Sequence, residues 1–146
     1  MNNLKNRQGS CLCGAVQVSV NLHKTDLGAC HCSSCLKWSG GPFMELECGS
    51  VVRFLGDEHI QTYESSAWAI RGFCKICGSH LFIQEKSSND YGISVGQFDN
   101  SKNIQFNRQV FYDNKPAYYR FANSTLNISS DYIYQHFPHT KQDKQE

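Results

Sequence analysis

Apolar and polar residues alternate along much of this chain, with the period of two that half-buried strands show. In the segment AVQVSV, Val16, Val18 and Val20 fall on one face and polar residues on the other. Because this run is also rich in β-branched residues, it predicts a strand. Further runs of this kind predict strands at 43–48, 51–55, 67–73, 80–84, 92–95, 109–112 and 117–121.

Turn-forming segments rich in Gly, Asn and Ser separate these runs about every ten residues, a spacing typical of antiparallel all-β proteins. Helical periodicity is weak, and only residues 33–38 and 131–137 allow short helices. The pattern therefore predicts a mainly β fold with few or no helices. No repeat or linker divides the chain, so we expect a single domain over residues 1–138. A polar tail, HTKQDKQE, is expected to be flexible over residues 139–146.

Composition and charge narrow the class of protein. The 146 residues are 40% hydrophobic and 18% charged, which fits one globular domain with its own core. No apolar run approaches the roughly 20 residues of a membrane span, and the first residues lack the apolar segment of a secretory signal. A net charge of +1 with scattered lysines and arginines argues against a nucleic-acid partner. We therefore expect a cytoplasmic protein without a membrane or nucleic-acid partner.

Eight cysteines are many for a chain of this expected location. In a reducing compartment they indicate metal or thiol chemistry rather than disulfides. They fall into a C-x-C pair at 11–13, a C-H-C-S-S-C cluster at 30–35, a single Cys48 and a C-x-x-C pair at 74–77.

The segment FCKICGSH is typical of a zinc knuckle, because Gly78 directly follows Cys77 and allows the positive φ that such a tight turn needs. A redox pair is the alternative, but it calls for a βαβ setting that the pattern does not show. A knuckle supplies two of the four ligands that zinc prefers, and Cys11 and Cys13 would project from one face of an extended segment. We therefore predict a closed structural zinc site on Cys11, Cys13, Cys74 and Cys77, with two independent pairs of buried thiols as the alternative.

The segment GACHCSSCLKWSG groups three further cysteines: Cys30, Cys32 and Cys35. A fourth ligand would come from Cys48, or one position would stay open for water or a substrate thiolate, as in catalytic zinc sites. Strand alternation puts Cys48 with Met44 and Leu46 on an apolar face, which favours a buried thiol. His31 would turn away from a metal bound by both of its neighbours, which favours a packing or supporting role. A thiolate-rich zinc suits a further sulfur ligand.

Four segments in order, GSCLCGAV, ACHCSSCLKWSGGPF, YESSAWAIRGFCKICGSHLF and GISVGQFD, closely resemble the glutathione-dependent formaldehyde-activating (GFA) family, which also includes centromere protein V. The resemblance extends from Gly9 to about Phe121. It implies a small antiparallel zinc-bearing β fold of two packed sheets, the β-tent type shared with methionine sulfoxide reductase B and the Rab-exchange-factor-like proteins.

The resemblance also implies an activity and its sites. It implies a carbon–sulfur lyase that joins formaldehyde to glutathione, giving S-hydroxymethylglutathione. It implies one structural zinc on the four-cysteine set and a second, catalytic zinc on Cys30, Cys32 and Cys35, where glutathione engages. Lys37 and Trp38 follow this cluster and are the candidate glutathione contacts. Arg53 and Arg71 are further candidate cations, and a purely structural or solvent-facing role is the alternative for each.

The sequence departs from the family pattern near its carboxyl end. Gln109 and Tyr118 stand where the family often has histidine and tryptophan, so substrate choice is expected to differ if these residues line the pocket. Two other functional interpretations stay open. One is a non-catalytic zinc-binding module or carrier of a thiol adduct. The other is a methionine sulfoxide reductase, which usually builds its zinc site from two C-x-x-C pairs.

The remaining aromatic and histidine residues near the motifs are interpreted as structural. Tyr63, Trp68 and Phe73 are expected to pack in the core. His80 directly follows the knuckle, whose zinc site already has four ligands, so a structural role is expected for it as well.

Overall fold

The structure, a computed structural model, describes residues 6–21 and 25–145. The amino-terminal residues 1–5, in which no secretory signal is predicted, and the last residue of the predicted tail lie outside the described residues. The strands are β1 Asn6–Ser10, β2 Gln17–Asn21, β3 Asp26–Cys30, β4 Phe43–Gly49, β5 Val52–Leu55, β6 Ile60–Glu64, β7 Ala69–Cys74, β8 His80–Glu85, β9 Tyr91–Ser94, β10 Gln105–Val110 and β11 Leu126–Ile128. The α-helices are α1 Ser33–Ser39 and α2 Ser130–His136.

These strands form two sheets, in agreement with the predicted mainly β fold. The smaller sheet has the order β1-β2-β5, and the larger has the order β11-β10-β3-β4-β9-β8-β7-β6. Neighbouring strands are antiparallel except at β10, which runs parallel to both β3 and β11. Both α-helices are short, seven residues each. Within the described residues, no helix has the length and apolar character needed to cross a membrane.

The two sheets share one apolar cluster. The alternating valines of β2 are almost completely buried and belong to the same cluster as Leu46 and Ile93 of the larger sheet. Cys48 lies in this cluster, and its Sγ is 3.4 Å from the carbonyl oxygen of Leu46. Because successive side chains alternate along β4, Glu45 and Glu47 project from the opposite face of the larger sheet.

The smaller sheet contacts the rest of the chain at Gly9, which forms an isolated antiparallel bridge with Phe98. A Cβ on Gly9 would lie 1.9 Å from the carbonyl oxygen of Gln97. We expect Gly9→Ala to lower the free energy of unfolding by about 1–3 kcal/mol or more, because the backbone atoms that it meets cannot move aside as a flexible side chain would. Gly41→Ala is the matched control, since a Cβ at Gly41 meets nothing within 4 Å. Equal denaturation midpoints for the two variants would contradict the inference that the backbone of Gln97 leaves no room for a Cβ at Gly9.

Several elements differ from the prediction. The strands β1, β3, β6 and β11 were not predicted, and residues 117–121 form no strand. Tyr63, expected in the core, is 65% exposed because β6 is the edge strand of the larger sheet. Trp68 and Phe73 are half-buried.

The start of the predicted flexible tail is packed against the domain. A 3-10 helix covers Pro138–Gln145. His139 Nε2 lies 2.6 Å from a carboxylate oxygen of Glu85, and the side chain of Thr140 is buried and donates to the carbonyl oxygen of Phe137 at 2.8 Å. The prediction of a flexible tail rested on polar composition alone, whereas the polar side chains of His139 and Thr140 have hydrogen-bond partners in the structure.

Candidate metal centres and active site

The first cysteine cluster brings together the C-x-C pair at 11–13 and the C-x-x-C pair at 74–77. The Sγ atoms of Cys11, Cys13, Cys74 and Cys77 all lie within 4.8 Å of one another, and all four thiols are free. Cys13 Sγ is 3.7 Å from Cys11 Sγ and 3.9 Å from Cys74 Sγ. Four sulfurs bound tetrahedrally to zinc at about 2.3 Å are about 3.8 Å apart. The donor set and its spacing therefore fit a closed zinc site.

The knuckle that presents one pair is a tight turn after β7. Gly78 has a φ of +80°, and its N–H donates to the carbonyl oxygen of Cys74 at 2.7 Å. The N–H of Cys77 donates to Cys74 Sγ at 3.5 Å. The Ser79 hydroxyl, 3.2 Å from Cys77 Sγ, lowers the pKa of Cys77 to about 5, which favours the thiolate that binds a metal.

The other pair also sits in a turn, not in the extended segment that the C-x-C spacing predicted. The N–H of Gly14 donates to the carbonyl oxygen of Cys11 at 3.1 Å, and the N–H of Val16 donates to Cys11 Sγ at 3.3 Å. The two turns are joined directly, because the N–H of Leu12 donates to the Ser79 hydroxyl at 3.0 Å. The cluster thus ties the amino-terminal turn to the end of β7.

The second cluster forms where β3 passes into α1. The Sγ atoms of Cys30, Cys32 and Cys35 lie within 4.8 Å of one another. Cys32 is the N-cap of α1, and its Sγ accepts a hydrogen bond from the N–H of Cys35 at 3.4 Å. Hydrogen bonds from the Cys30 and Cys35 thiols lower the pKa of Cys32 to about 3. Among the described residues no fourth histidine, cysteine or carboxylate joins this set, so the chain itself supplies three soft ligands that fit zinc.

Arg71 is the cation at the second cluster. Its side chain is buried, Nη1 lies 3.7 Å from Cys35 Sγ, and the guanidinium lies 5.0 Å from the centre of the Trp38 ring. Trp38 also stacks on His80 at 4.1 Å between ring centres. This stack holds a positive charge beside the thiolates, where it offsets part of their negative charge.

The other candidate cations lie elsewhere. Lys37 is exposed in the last turn of α1. Arg53 is exposed on β5 and lines a separate hollow of about 640 Å³ on the smaller sheet, which none of the clustered cysteines lines.

His31 has a buried position in which both ring nitrogens are bonded. Its Nδ1 lies 2.7 Å from the Tyr119 hydroxyl, and its Nε2 lies 2.8 Å from Gln109 Oε1. Gln109 in turn donates from Nε2 to the Thr125 hydroxyl at 2.9 Å. Because Gln109 offers its oxygen to the ring, Nε2 of His31 carries the proton and Nδ1 accepts from Tyr119. Burial lowers the pKa of His31, which favours this neutral form.

The two departures from the family pattern do not line the site. Gln109 is buried as the partner of His31, and Tyr118 is 80% exposed. Neither is among the described residues that line the cavity beside the second cluster. The condition under which these positions would change substrate choice, that they line the pocket, is therefore not met.

A cavity of about 890 Å³ opens beside the second cluster, and Cys30, Cys32 and Cys35 all line it. Its charged lining residues are Arg71 and the carboxylates of Glu45, Glu47, Glu85 and Asp90. Its apolar lining includes Trp68, Tyr91, Phe111, Tyr134 and Phe137. A concave, largely apolar space with a few converging polar groups is the usual form of a small-molecule site.

The carboxyl-terminal elements form one wall of this cavity. Ile133 and Tyr134 of α2 and the following Phe137 and Thr140 line it. The helix is held in place because both carboxylate oxygens of Asp113 accept from Ser130, one from its N–H at 2.7 Å and one from its hydroxyl at 2.6 Å. Sequence reasoning gave these residues no role in the site, although weak helical periodicity over residues 131–137 signalled the helix.

Comparisons with known proteins agree with the cysteine geometry. A family model described as glutathione-dependent formaldehyde-activating enzyme matches residues 6–114. An uncharacterized lyase of Schizosaccharomyces pombe is 36% identical over 127 residues, which cover 86% of this chain and 93% of that protein.

Two further relatives are similar over less of the chain. A putative glutathione-dependent formaldehyde-activating enzyme of Halomonas elongata is 32% identical over 85 residues, covering 52% of this chain and 54% of that protein. The crystal structure of a Rhodobacter sphaeroides protein, a structural genomics target, is similar with a TM-score of 0.54 and 28% identity, over 64% of this chain and 88% of that one. The family match spans both cysteine clusters and most of the chain, which therefore belongs to the glutathione-dependent formaldehyde-activating enzyme family.

Proposed function

We propose that this protein is a carbon–sulfur lyase that joins a thiol, glutathione or a similar one, to formaldehyde or another small aldehyde, as an S-hydroxymethylglutathione synthase does. The observation that carries the proposal is the three-cysteine cluster at the wall of an 890 Å³ cavity. A site with three protein ligands is the arrangement of catalytic rather than structural zinc. The first cluster, which has four cysteines, is proposed to hold a structural zinc.

Different residues have different roles in the proposed reaction. Cys30, Cys32 and Cys35 would hold zinc, which when bound supplies a Lewis acid that lowers the pKa of a thiol and favours its nucleophilic form. Arg71 offsets negative charge at the cluster. The aromatic walls would hold the aldehyde close to the sulfur, which matters because thiol addition gains mainly from proximity and orientation.

Lys37 and Trp38 stay our proposed contacts for glutathione. Lys37 is an exposed cation two residues after Cys35 and would attract a carboxylate. Trp38 lies under the Arg71 guanidinium and would act by fixing that cation. The cytosol is the proposed compartment, because the free thiols of this chain would persist there.

The proposal is tested on purified, zinc-loaded protein. We expect two zinc ions per chain, saturable binding of glutathione by calorimetry, and exchange between free formaldehyde and its glutathione adduct faster than in glutathione alone, followed by NMR exchange spectroscopy. Absence of both binding and acceleration would overturn the proposal. Binding of the adduct without acceleration would identify a carrier instead of an enzyme.

A further inference from the structure

We infer that Glu45 is a catalytic residue of the proposed reaction, which carries the proton of the thiol to the oxygen of the aldehyde. The inference rests on the proposed function and deepens it. Addition of a thiol to an aldehyde moves one proton from sulfur to oxygen, so a buried site needs a group that both accepts and donates a proton.

Glu45 faces the same cavity as the second cluster. In the β3–β4 register, Phe43 pairs with Cys30 and Glu45 pairs with Gly28. The backbone of Glu45 is therefore two residues, about 7 Å along the strand direction, from the Cys30–Phe43 pair at which the cluster begins. At this separation a substrate held at the sulfurs would lie between the cluster and the carboxyl group.

The position of the carboxyl group depends on Gly92 of β9. A Cβ on Gly92 would lie 1.7 Å from Glu45 Oε1, so only glycine leaves room for the carboxyl group to lie against that strand. Gly92 also pairs with Ile83, which pairs with Arg71. Glu45 itself pairs with Ser94, so its carboxyl group reaches toward the next row on the cavity face, in which Glu47, Gly92, Ile83 and Arg71 follow one another.

The charged groups around Glu45 leave its oxygens available to a substrate. Arg108 of β10 donates to Glu47 at 3.0 Å, and Arg71 of β7 contacts Cys35. In the part of the chain that the structure describes, the Glu45 side chain makes no hydrogen bond and no ion pair. Glu85 of β8, which also lines the cavity, is paired with His139.

The environment also suits a group that changes protonation near neutral pH. Burial raises the pKa of Glu45 to about 7, with Arg108 opposing the rise and Glu47 and Cys32 adding to it. A carboxyl group with such a pKa is present in both forms at pH 7, the condition under which acid–base catalysis is most effective.

The proton and electron balance of the step is complete. The S–H bond breaks and its proton goes to the Glu45 carboxylate, while the sulfur lone pair forms the new S–C bond. The π bond of the carbonyl breaks, its electron pair moves to oxygen, and Glu45 returns the proton to that oxygen. Nothing is oxidised or reduced, and the reverse sequence releases the aldehyde.

The test compares Glu45→Gln with Glu47→Gln in zinc-loaded protein. Glu47 is the matched control, because it lies two residues along the same face of β4 and lines the same cavity, but its side chain is exposed and paired with Arg108. We expect Glu45→Gln to keep zinc content and glutathione affinity and to lose about 10²-fold or more of the acceleration. Its rate should also lose the dependence on pH near 7, and the number of protons exchanged on glutathione binding, measured by calorimetry in buffers of different ionisation enthalpy, should change. Glu47→Gln should keep the zinc content, the glutathione affinity and most of the acceleration, and its pH profile should move to lower pH, because a charge that raises the pKa of Glu45 is removed.

The outcomes separate this inference from the proposed function. A wild-type protein that neither binds glutathione nor accelerates the reaction overturns both. If the wild type accelerates the reaction and Glu45→Gln has the same rate and pH profile, the role of Glu45 is overturned while the proposed function stands. Loss of glutathione affinity in Glu45→Gln would also overturn the role of Glu45. If Glu45→Gln loses zinc, Glu45→Asp is tested instead. Its shorter side chain moves the carboxyl group away from the substrate, and the rate is expected to fall by about 10- to 100-fold at unchanged glutathione affinity. An unchanged rate in Glu45→Asp would count against the inference.

Discussion

Replacing Cys74 with serine is expected to remove one zinc ion per chain and to unfold the protein at ambient temperature. Cys74 is completely buried at the end of β7 and belongs to the cluster that joins this strand to the amino-terminal turn. Zinc binding to structural sites contributes on the order of 10 kcal/mol, comparable to the whole free energy of unfolding of a domain. Zinc content by atomic absorption and a thermal melt by circular dichroism would measure both effects.

Cys48→Ala is the control for that experiment. Cys48 is also a buried thiol, but it lies in the apolar cluster between the sheets, outside both candidate metal sites. The variant should keep the zinc content of the wild type and lower the free energy of unfolding by about 1–2 kcal/mol, the cost of a small cavity. A Cys74→Ser protein with the zinc content and melting temperature of the wild type would contradict a structural role for the first cluster.

The parts of the fold that the sequence predicts well are those encoded locally. The valine alternation of β2 and the knuckle at Cys74–Cys77 depend on residues a few positions apart, and the structure has both. The four-cysteine grouping could be predicted because zinc chemistry itself requires four ligands.

The elements that sequence reasoning missed depend on distant pairing. β3, with the sequence DLGAC, lies between β10 and β4 near the centre of the larger sheet and is buried along most of its length, so it shows no alternation. β1 has a polar sequence whose Arg7 is nevertheless buried and bonded to the backbone carbonyl of Asn100 at 2.5 Å. In both cases tertiary contacts override local preference.

The same limit applies to the candidate site. Glu45 reads from the sequence as a polar residue opposite an apolar face, and only the strand register shows that this second face lines a cavity. Arg71 reads as one cation among several, and its contact with Cys35 joins residues 36 positions apart. The cysteine pattern alone predicts the metal chemistry, whereas the positions of the groups that would act beside the cysteines depend on strand pairing in the larger sheet.

The two clusters differ in how completely the chain surrounds them with ligands. The first has four sulfurs and direct bonds between its two turns, an arrangement suited to holding the fold together. The second has three sulfurs, a buried cation and a cavity on one side. Loss of the first should therefore affect stability, and loss of the second should affect binding and rate while the fold remains.

Cys32→Ser tests this division with the least disturbance to the fold. Cys32 is the least buried member of the second cluster and the N-cap of α1, and serine is among the best N-cap residues, so the helix should remain. We expect the zinc content to fall from two ions to one and the melting temperature to change little. Glutathione binding should be lost, and the acceleration should fall by at least about 10- to 100-fold, the loss that substitution of residues that only support metal ligands already causes. Unchanged glutathione affinity and rate after loss of the second zinc would mean that the cavity acts without the three-cysteine cluster, and the proposed function would have to be abandoned.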